Sequence, residues 1–481
     1  MKPEEKEFGI VTEIYYPIVK VHGLPTVASD EMVEFENGIQ GIVFSLLAGS
    51  VDILIVDQGT IAIGSKVKPL RYQPVISYND AFLGRVVNPL GKVVMGDSIV
   101  SENNIVKTLN NRPSGISKRA TISSPFFTGI AVVDLLLPLG FGQKELILGD
   151  RKSGKTSFLL SVLKNQGKMG TKIIYAAIGK KRQEVEEIYN FILSEKLADQ
   201  VTVVASFADD SPSVIYLTPL SAMTIAEVLR DQGIPTLVIF DDLSTHSKFY
   251  REISLLAGRF PGRESYPGDM FHVHARLLER AGNFVFEKTS VAITALPVAE
   301  VSQGDLTSHI ATNLMSITDG HIFLDSNLFY QGRRPAVNVA LSVTRVGRQA
   351  HSKLVRSINR EVSSFLSLYE KMRELSHFGA ELTDTVKNIL NTGDNLYIFF
   401  GQQRGQAIDQ RVQIVMFAIL WLRLFDDSSK DAIHIYRNNL SKAIETEANS
   451  ALINDMLSVE NLNELLTNIS KNIDNIKTLC A

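Results

Sequence analysis

The sequence has almost no cysteine and carries little net charge. Its single cysteine, Cys480, lies next to the C-terminus, so no disulfide can form within the chain, as suits a reducing compartment. A net charge of −3 excludes the bulk basic field with which many proteins attract nucleic acid. The N-terminal MKPEEKEF lacks the apolar core of a signal peptide. The longest apolar run, near residues 412–425, is too short to span a bilayer, so we expect any membrane link to pass through partners.

Two kinds of catalytic centre are also missing from the pattern. His272 and His274 have no second set of metal-ligating residues nearby, so we interpret them as packing or hydrogen-bonding residues. No Ser-His-Asp signature stands out either. The pattern therefore indicates neither a histidine-bound metal centre nor a serine-hydrolase triad.

Three zones of different pattern follow one another along the chain. Residues 1–75 carry strand-length apolar runs broken by turn residues, which predicts a small antiparallel sheet or barrel. In residues 76–350, runs such as KIIYAAIG, VTVVASF and TLVIFDD alternate with helical stretches, which predicts a mostly parallel sheet covered by helices. Residues 351–481 show apolar residues at helical spacing and no strands, and segments such as 412–425 and Met456 to Ile476 predict helices. The sequence thus predicts a multidomain α/β protein with domains at these three ranges.

The run GDRKSGKT, residues 149–156, fits the phosphate-binding pattern G-x-x-x-x-G-K-[ST]. An apolar stretch before it predicts a buried strand, and residues 156–166 predict a helix with Gly167 just past its end. Backbone N–H groups and the helix N-terminus would bind phosphate oxygens, while Lys155 reaches the β- and γ-phosphates and Thr156 ligates Mg²⁺. The residues that this pattern assigns to the nucleotide are Gly149, Asp150, Lys152, Ser153, Gly154, Lys155, Thr156 and Ser157.

A second nucleotide-binding element is the run TLVIFDD, residues 236–242. Its apolar part predicts a buried strand whose final carboxylate emerges at the edge of the sheet where ligands gather. We predict that Asp241 binds Mg²⁺, with Asp242 as the alternative. The plainer interpretation of either residue is a strand-ending aspartate that caps a helix.

The residue that would activate a water molecule is replaced. After the strand KIIYAAI comes Gly179, and the next residue is Lys180, where catalytic ATPases of this class carry a glutamate. A cation cannot accept the proton of the attacking water. Facing the phosphates, Lys180 would favour nucleotide binding but not hydrolysis; the other interpretation of this basic cluster is a solvated loop. The pattern indicates a site that holds nucleotide without turning it over.

Arg345 lies in LSVTRVG, between a strand-like run and a glycine. Arginines at such positions can extend across a subunit boundary and stabilise charge in a neighbouring active site. On the pattern alone, a single arginine is more often an ordinary surface residue.

Over nearly its full length, the chain resembles the α subunits of F-type rotary ATP synthases. The matching segments include VHGLPTVASDEMVEFENG, LGRVVNPLGK, GIAVVDLLLPLGFGQKELILGDRKSGKT, DDLSTHSKFYREISLL, PGRESYPGDMFHVHARLLERAG, SITDGHIFLD and GRRPAVNVALSVTRVG. GDRKSGKT, FDDLS and Lys180 resemble the α rather than the β type. The resemblance implies an N-terminal β-barrel crown (1–75), a RecA-like P-loop NTPase domain (76–350) and a helical C-terminal domain (351–481).

The same resemblance implies an assembly and its ligands. α-type and β-type subunits would alternate in a hexamer around a central γ-type shaft, with ATP or ADP and Mg²⁺ as ligands and no nucleic acid as partner. The chain would lie in the cytoplasm, peripheral to the inner face of the membrane through the other subunits. Transferred residue by residue, the resemblance places Lys155 and Thr156 at the phosphates and Mg²⁺, and Asp241 at Mg²⁺.

Further residues acquire roles only through the resemblance. Arg151 falls at a phosphate-side position, and Arg345 matches the arginine that α subunits contribute to the neighbouring β catalytic site. Arg334 and Pro335, in GRRPAVN, match residues that line the adenine pocket, and Gln402 matches an adenine-pocket glutamine.

The chain departs from the family pattern at three places. The barrel begins almost at the N-terminus, without the preceding residues that usually bind the peripheral stalk, so we expect a different stator attachment. Lys180 replaces a family glutamine, and Phe400 in FFGQQRGQ replaces a second adenine-loop glutamine, which predicts altered base selectivity. These departures indicate a divergent F-like ATPase, such as the additional rotary-type ATPases of wall-less bacteria.

Two other functions compete with a non-catalytic rotary subunit. A self-sufficient homohexameric motor, such as a secretion ATPase or RNA translocase, requires a carboxylate where Lys180 stands, and handling RNA also requires basic or aromatic surfaces. A structural ring component without nucleotide binding conflicts with the intact phosphate-binding loop. Nucleotide binding and turnover by the isolated chain would separate the three.

Overall fold

The computed structural model describes residues 7–57, 59–98, 104–287, 289–377, 383–424 and 430–480. Their contacts form two compact units. The first unit comprises Met1–Ala120, Gly170–Val301 and Asp305–Thr318. The second comprises Thr121–Met169, Ser302–Gly304 and Asp319–Ala481.

The described strands all end by Thr344. In order they are β1 Gly9–Tyr15, β2 Ile18–His22, β3 Met32–Phe35, β4 Gln40–Leu46, β5 Ser50–Ile55, β6 Lys66–Pro69, β7 Val75–Tyr78, β8 Val86–Val87, β9 Val93–Met95, β10 Ile105–Thr108, β11 Pro125–Phe126, β12 Leu139–Gly140, β13 Glu145–Asp150, β14 Lys172–Lys180, β15 Val201–Phe207, β16 Thr236–Asp241, β17 Gly282–Phe286, β18 Thr289–Val301, β19 Gly320–Leu324 and β20 Val343–Thr344.

The described α-helices begin at Ala131 and dominate the C-terminal part of the chain. In order the α-helices are α1 Ala131–Leu136, α2 Lys155–Lys168, α3 Arg182–Ser194, α4 Pro212–Asp231, α5 Leu243–Leu256, α6 Met270–Leu278, α7 His309–Ile317, α8 Ser326–Tyr330, α9 Gly347–Ala350, α10 Lys353–His377, α11 Asp384–Phe400, α12 Gln410–Trp421, α13 Lys430–Ala443, α14 Glu447–Leu457, α15 Leu462–Lys471 and α16 Ile473–Cys480. Short 3₁₀ helices lie at Asp80–Phe82, Ile116–Lys118 and Arg263–Ser265.

The N-terminal strands of the first unit close into an antiparallel barrel. Its strand order is β1-β2-β5-β4-β3-β6. Alternate side chains point inward and form an apolar core of valine, isoleucine, leucine and phenylalanine, as the pleat of a strand requires. The predicted N-terminal barrel is therefore confirmed.

The same unit contains a mostly parallel sheet. Its order is β18-β16-β14-β15-β8-β9; β17 pairs antiparallel with β18, and β9 pairs antiparallel with β8. Strands β14, β15 and β16 are buried along nearly their whole length, as expected for parallel strands covered on both faces. Among the described residues, α4 is the one helix long and apolar enough to cross a membrane; 78% of its apolar window is buried, as in a core helix.

Barrel and sheet contact each other within the first unit. Ile18 and Leu54 of the barrel form a buried cluster with Ile253 of α5 and with Ala257 just after it. The guanidinium of Arg259 lies over the ring of Phe44, 4.3 Å from its centroid. These contacts fix the barrel against the helix that follows β16.

The second unit combines a small sheet with the C-terminal helices. Strand β13 pairs parallel with β19, β19 pairs antiparallel with β20, and β11 pairs with β12. The apolar helix α12 packs against α1, α11, α13, α14 and α15. Within this unit, the predicted helical character of the C-terminal region is confirmed, and so is the multidomain α/β fold class.

Two helix ends differ from the sequence-based expectation. Helix α2 does not end before Gly167 but runs through it to Lys168, and Gly170, with φ of +84°, follows the helix instead. The segment from Met456 to Ile476 is divided into the end of α14, all of α15 and the start of α16, because Asn461 caps α15 through the N–H of Glu464. The predicted domain limits near residues 75 and 350 stay predictions.

Candidate functional site

The phosphate-binding loop joins β13 to α2 in the second unit. Gly154 ends the loop with φ of +97°, a left-handed conformation that suits glycine. At Gly149, a Cβ atom would lie 2.5 Å from Ser153 Oγ and 2.7 Å from the Leu324 carbonyl oxygen. Both glycines are therefore required by the tight path of the loop.

The first turn of α2 is open to an anion. Gly154 at the N-cap offers no side-chain acceptor, so the N–H groups of the first turn have no side-chain cap. Ser153 Oγ is buried without a hydrogen-bond partner among the described residues. Unpaired donors at the positive end of a helix fit phosphate oxygens.

Two charged side chains of the loop have structural partners. Lys155 Nζ donates to the carbonyl oxygens of Gly149 (2.9 Å) and Asp150 (2.7 Å), so the ammonium lies against its own loop. The Asp150 carboxylate accepts from the Gly304 N–H (2.9 Å) and from Ser326 Oγ (2.7 Å). Asp150 thus stabilises the loop, while Lys155 is placed where phosphate oxygens could replace carbonyl oxygens.

The other predicted residues of the loop face solvent. Arg151, Lys152 and Thr156 are exposed, and Ser157 is partly exposed. An exposed threonine hydroxyl at the start of α2 can ligate a cation. Among the described residues, no three His, Cys, Asp or Glu side chains are grouped closely enough to hold a metal ion.

The first unit contains a pair of carboxylates at the end of β16. Asp241 Oδ1 lies 2.8 Å from Lys180 Nζ, and Asp241 Oδ2 accepts from the Tyr175 hydroxyl at 2.7 Å. Asp242 Oδ2 lies 3.6 Å from the same ammonium, and Asp242 Oδ1 accepts from the Thr245 N–H at 2.6 Å. Asp242 therefore caps the N-terminus of α5, the role that the sequence analysis gave as the alternative to metal binding.

Burial and charge compete at this cluster. Burial alone would lower the pKa of the Lys180 ammonium, but the carboxylates of Asp241 and Asp242 outweigh burial and raise that pKa. Burial raises the pKa of the Asp242 carboxyl, and Lys180 opposes the rise. Burial and the neighbouring Asp241 raise the pKa of the Tyr175 hydroxyl well above its ordinary value. Lys180 is therefore a charged partner of the two carboxylates.

Tyr175 was not foreseen as a site residue. In the parallel register of β14 and β16, Ala177 pairs with Asp241, and Tyr175 lies two residues earlier on the same face. The available signal was a single hydroxyl-bearing aromatic residue within the otherwise apolar run KIIYAAI.

The residues predicted to surround a base line two adjoining cavities of the second unit. One cavity, of about 380 Å³, is lined by Arg334, Pro335, Tyr369, Tyr397 and Phe400, among others. The other, of about 350 Å³, is lined by Arg334 and Gln402, together with Gln406, His434 and Arg437. The Arg334 guanidinium lies over the Phe329 ring, 3.9 Å from its centroid. A cavity with aromatic walls and cations at its rim fits a planar base.

The side-chain amide of Gln402 is used within the protein. Its Nε2 donates to the carbonyl oxygens of Gly129 (2.9 Å) and Gln406 (3.0 Å), and its Oε1 accepts from the Ala131 N–H (2.8 Å). Both amide donors are therefore engaged, and the side chain is 7% exposed. This geometry gives Gln402 a role in holding the start of α1.

Arg345 is exposed directly after β20. Its backbone N–H donates to the Asp319 carbonyl oxygen at 3.1 Å. The preceding Thr344 accepts from Gln143 Nε2 at 3.1 Å and donates to the Pro138 carbonyl oxygen at 3.1 Å. At Gly347, a Cβ atom would lie 2.0 Å from the Pro138 oxygen. The backbone around Arg345 is thus fixed while its side chain points to solvent.

Comparison with known proteins agrees with these features. Residues 129–344 match the model of the ATP synthase alpha/beta family, nucleotide-binding domain, and residues 351–476 match the ATP synthase alpha/beta chain, C terminal domain. The chain is 39% identical to the ATP synthase subunit alpha of Rickettsia bellii over 86% of its length and 82% of the relative's. The corresponding protein of Mycoplasma pneumoniae is 39% identical over 86% and 80% of the two lengths. That of Rickettsia canadensis is 36% identical over 92% and 90%.

Proposed function

The chain belongs to the ATP synthase alpha/beta family, as an α-type subunit of an F-type ATP synthase complex, and from this premise we propose that it binds nucleotide without hydrolysing it. The observation that carries the proposal is the ion pair of Lys180 with Asp241 and Asp242. Lys180 would thus be a cation at the position where a catalytic subunit needs a water-activating carboxylate, and its raised pKa supports a charged side chain at neutral pH.

The ligand we propose is ATP or ADP. Gly149 to Ser157 would hold the phosphates, Lys155 would exchange its carbonyl contacts for phosphate oxygens, and the exposed Arg151 would add charge at the rim. Support comes from the uncapped start of α2 and the unpaired Ser153 hydroxyl. Arg334 and Pro335 would flank the base in the aromatic-walled cavity, and Gln402 would act by shaping its far side.

Magnesium fits the two proposed ligands unequally. The exposed hydroxyl of Thr156 is suited to hold Mg²⁺ beside the phosphates, where the ion would supply positive charge to the triphosphate. Asp241 is less suited, because each of its oxygens already has a partner in Lys180 or Tyr175. We therefore propose Thr156 as the principal protein ligand of Mg²⁺.

Arg345 would act on a neighbouring subunit. We propose that the neighbour is a β-type catalytic subunit, alternating with this chain in a hexamer around a γ-type shaft. An exposed guanidinium on a fixed backbone supports such a role. A residue that acts in trans must extend its side chain beyond its own subunit, and a fixed backbone keeps that side chain at a defined position. We further propose that the complex lies at the cytoplasmic face of the membrane, and that the three domains meet near residues 75 and 350.

Turnover by the isolated chain tests the non-catalytic role. We expect the purified chain to bind ATP in equilibrium dialysis and to release almost no phosphate over the same period. Robust hydrolysis by a preparation free of β-type subunits would favour the homohexameric motor instead. Absence of binding would favour a purely structural subunit.

A further inference from the structure

The smaller of the two adjoining cavities of the second unit differs in chemistry from the larger one. The larger cavity has the rings of Tyr369, Tyr397 and Phe400 in its wall. Among the described residues that line the smaller cavity, of about 350 Å³, there is no phenylalanine, tyrosine, tryptophan, aspartate or glutamate, but there are two arginines, Arg334 and Arg437, and three glutamines. A wall of cations and amide donors without a carboxylate suits an anion better than a planar base.

Arg437, on α13, is the buried cation of this cavity and is 4% exposed. Its Nη1 donates to the carbonyl oxygens of Phe399 (3.2 Å) and Gly401 (2.6 Å), at the C-terminus of α11, where a cation is favourable. Its Nη2 donates to Gln406 Oε1 at 3.3 Å. All of these partners are uncharged, and the Nε of Arg437 is buried with no hydrogen-bond partner among the described residues.

A buried guanidinium without an anion is unfavourable. Burial lowers the pKa of Arg437 to about 10, and no carboxylate among the described residues opposes that fall. The side chain is still charged at neutral pH, and a buried charge is normally paired. Capping of α11 explains the contacts of Nη1, but it explains neither the uncompensated charge nor the unpaired Nε. An anion in the cavity would satisfy both.

Two further donors line the cavity from other segments of the chain. Gln406 has its Oε1 committed to Arg437 and to the Gln403 N–H (3.1 Å), so its Nε2 is left as a donor. The Arg334 side chain is exposed, and its backbone oxygen accepts from the Gln402 N–H at 2.7 Å, which holds this segment against the loop after α11. Donors on α13, on the loop after α11 and on the segment after α8 thus surround one small volume.

We propose that this cavity is a phosphate site separate from the loop of residues 149–157, with Arg437 and Arg334 as its cations and Gln406 as a neutral donor. A phosphate group carries a charge of about −1.5 to −2 at neutral pH and several acceptor oxygens, which match donors that come from three segments. The ligand is either inorganic phosphate or a phosphate group on the ribose of a nucleotide whose base lies in the larger cavity. The second case alone rests on the proposed nucleotide-binding function.

The first experiment measures binding of labelled inorganic phosphate to the full chain by equilibrium dialysis. Every sample carries Lys155→Ala, which weakens phosphate binding at the loop, and saturable binding of one phosphate is expected. Gln406→Glu keeps the acceptor oxygens for Arg437 and for the Gln403 N–H but puts a carboxylate beside the guanidinium. Its phosphate affinity should therefore fall about ten- to hundredfold. Arg334→Gln alters an exposed side chain, so it should fold normally, and it should also lower the affinity.

Gln349→Glu is the matched control, since it adds the same charge at an exposed position of the second unit. Its phosphate affinity should not change. Thermal unfolding tests for a folding defect, and Gln406→Glu should be no less stable than the parent chain, because the added carboxylate pairs with Arg437. Absence of saturable phosphate binding, or equal affinities in Gln406→Glu, Arg334→Gln and the control, would overturn the proposal.

The second experiment distinguishes the two sources of phosphate in the chain with Lys155 intact. Isothermal titration compares ADP with ADP that carries a further phosphate on the 2′ or 3′ oxygen of its ribose. If the phosphate belongs to a nucleotide, one of these forms should bind about tenfold or more tightly than ADP, and Gln406→Glu should remove that gain. If the phosphate is free, neither form should show a gain, and inorganic phosphate should bind the ADP-saturated chain.

A chain that shows neither the gain nor phosphate binding in the presence of ADP would contradict the proposed phosphate site. Absence of ADP binding would contradict only the proposed function, and the first experiment would then decide on the phosphate site by itself.

Discussion

At the scale of one residue, Lys155 is the side chain that we propose to contact the phosphates. Its ammonium donates to two carbonyl oxygens of the loop and is 9% exposed. Carbonyl oxygens are weaker partners than a phosphate anion, because hydrogen bonds between two charged groups are roughly twice as strong. In the proposed nucleotide-binding role, the ammonium would have partners in both states and would prefer the phosphate.

Lys155→Ala should weaken ATP binding by about 1.5–3 kcal/mol, or roughly ten- to hundredfold, through loss of the charge-assisted contact. Equilibrium dialysis with labelled ATP measures the change. Lys168→Ala, an exposed lysine in the last turn of the same helix, is the control and should bind normally. Unchanged binding by Lys155→Ala would show that the loop assignment is wrong.

His246 makes stability depend on pH. The ring is buried, stacks on Tyr216 with centroids 5.5 Å apart, and places Nε2 3.2 Å from the Tyr216 carbonyl oxygen. Burial lowers the pKa of His246 to about 4. Because the unfolded histidine titrates near 6.5, this residue's stabilisation is present above about pH 6.5 and is lost as the pH falls towards 4.

From pH 7.5 to pH 5, His246 should account for a fall of about 2 kcal/mol in the free energy of unfolding. Urea denaturation at the two pH values measures the fall. His246→Gln keeps a donor for the Tyr216 oxygen but cannot titrate, so its pH dependence should be smaller by that amount. His22→Gln alters an exposed histidine and should leave the dependence as it is; an identical fall in both variants would refute the assignment.

At the scale of elements, the contact of α10 with α11 depends on one glycine. At Gly393 in α11, a Cβ atom would lie 2.0–2.6 Å from ring atoms of Tyr369 in α10, whose hydroxyl donates to Asp394 at 2.6 Å. The ring cannot retreat without breaking that hydrogen bond. Close approach of the two helices therefore requires the absence of a side chain at this position.

Gly393→Ala should destabilise the protein by about 1–3 kcal/mol, although alanine is the better helix former. Thermal or urea unfolding measures the change. Asn391→Ala, on the exposed side of the same helix, gains the same helix propensity without the clash and should be neutral or slightly stabilising. A Gly393→Ala protein as stable as the Asn391→Ala protein would show that the helices can separate freely.

The sequence predicts an element well when a local pattern of residues determines it, and poorly when contacts between remote residues do. Strands β14 to β16 and the loop before α2 were predictable, because continuous apolar runs and a fixed glycine spacing are local patterns. The end of α2 was not, since Gly167 is buried inside the helix, where packing outweighs its low helix propensity. The partners of Lys180 and Gln402 were beyond reach, because they come from remote parts of the chain that only the fold brings together.

At the scale of the whole molecule, Arg345 tests the proposed assembly. A guanidinium that stabilises charge on a nucleotide in the neighbouring subunit should affect the chemical step more than binding. Arg345→Ala should lower steady-state ATP hydrolysis by reconstituted rings by roughly 10³–10⁵-fold, the range known for such arginines, and Arg345→Lys should rescue poorly because an ammonium lacks the planar fork.

Two checks keep this prediction specific. Nucleotide binding by the variant chain itself should persist, since Lys155 and Thr156 are intact, and sedimentation should show whole rings. Arg348→Ala, an exposed arginine three residues further on, should hydrolyse ATP normally. Intact Arg345→Ala rings with near-normal hydrolysis would leave Arg345 as a surface residue.

The division of the second unit into distant chain segments has a consequence for biosynthesis. Gly129, near its beginning, accepts a hydrogen bond from Gln402, 273 residues later, and Asp134 accepts one from Gln413, 279 residues later. A ribosome adding about 5–20 residues per second needs roughly 15–55 s to make the intervening chain. During that interval the nascent α1, whose residues are all buried in the folded protein, lacks the helices α10, α11 and α12 that will cover it, so its apolar side chains stay exposed until translation reaches α12.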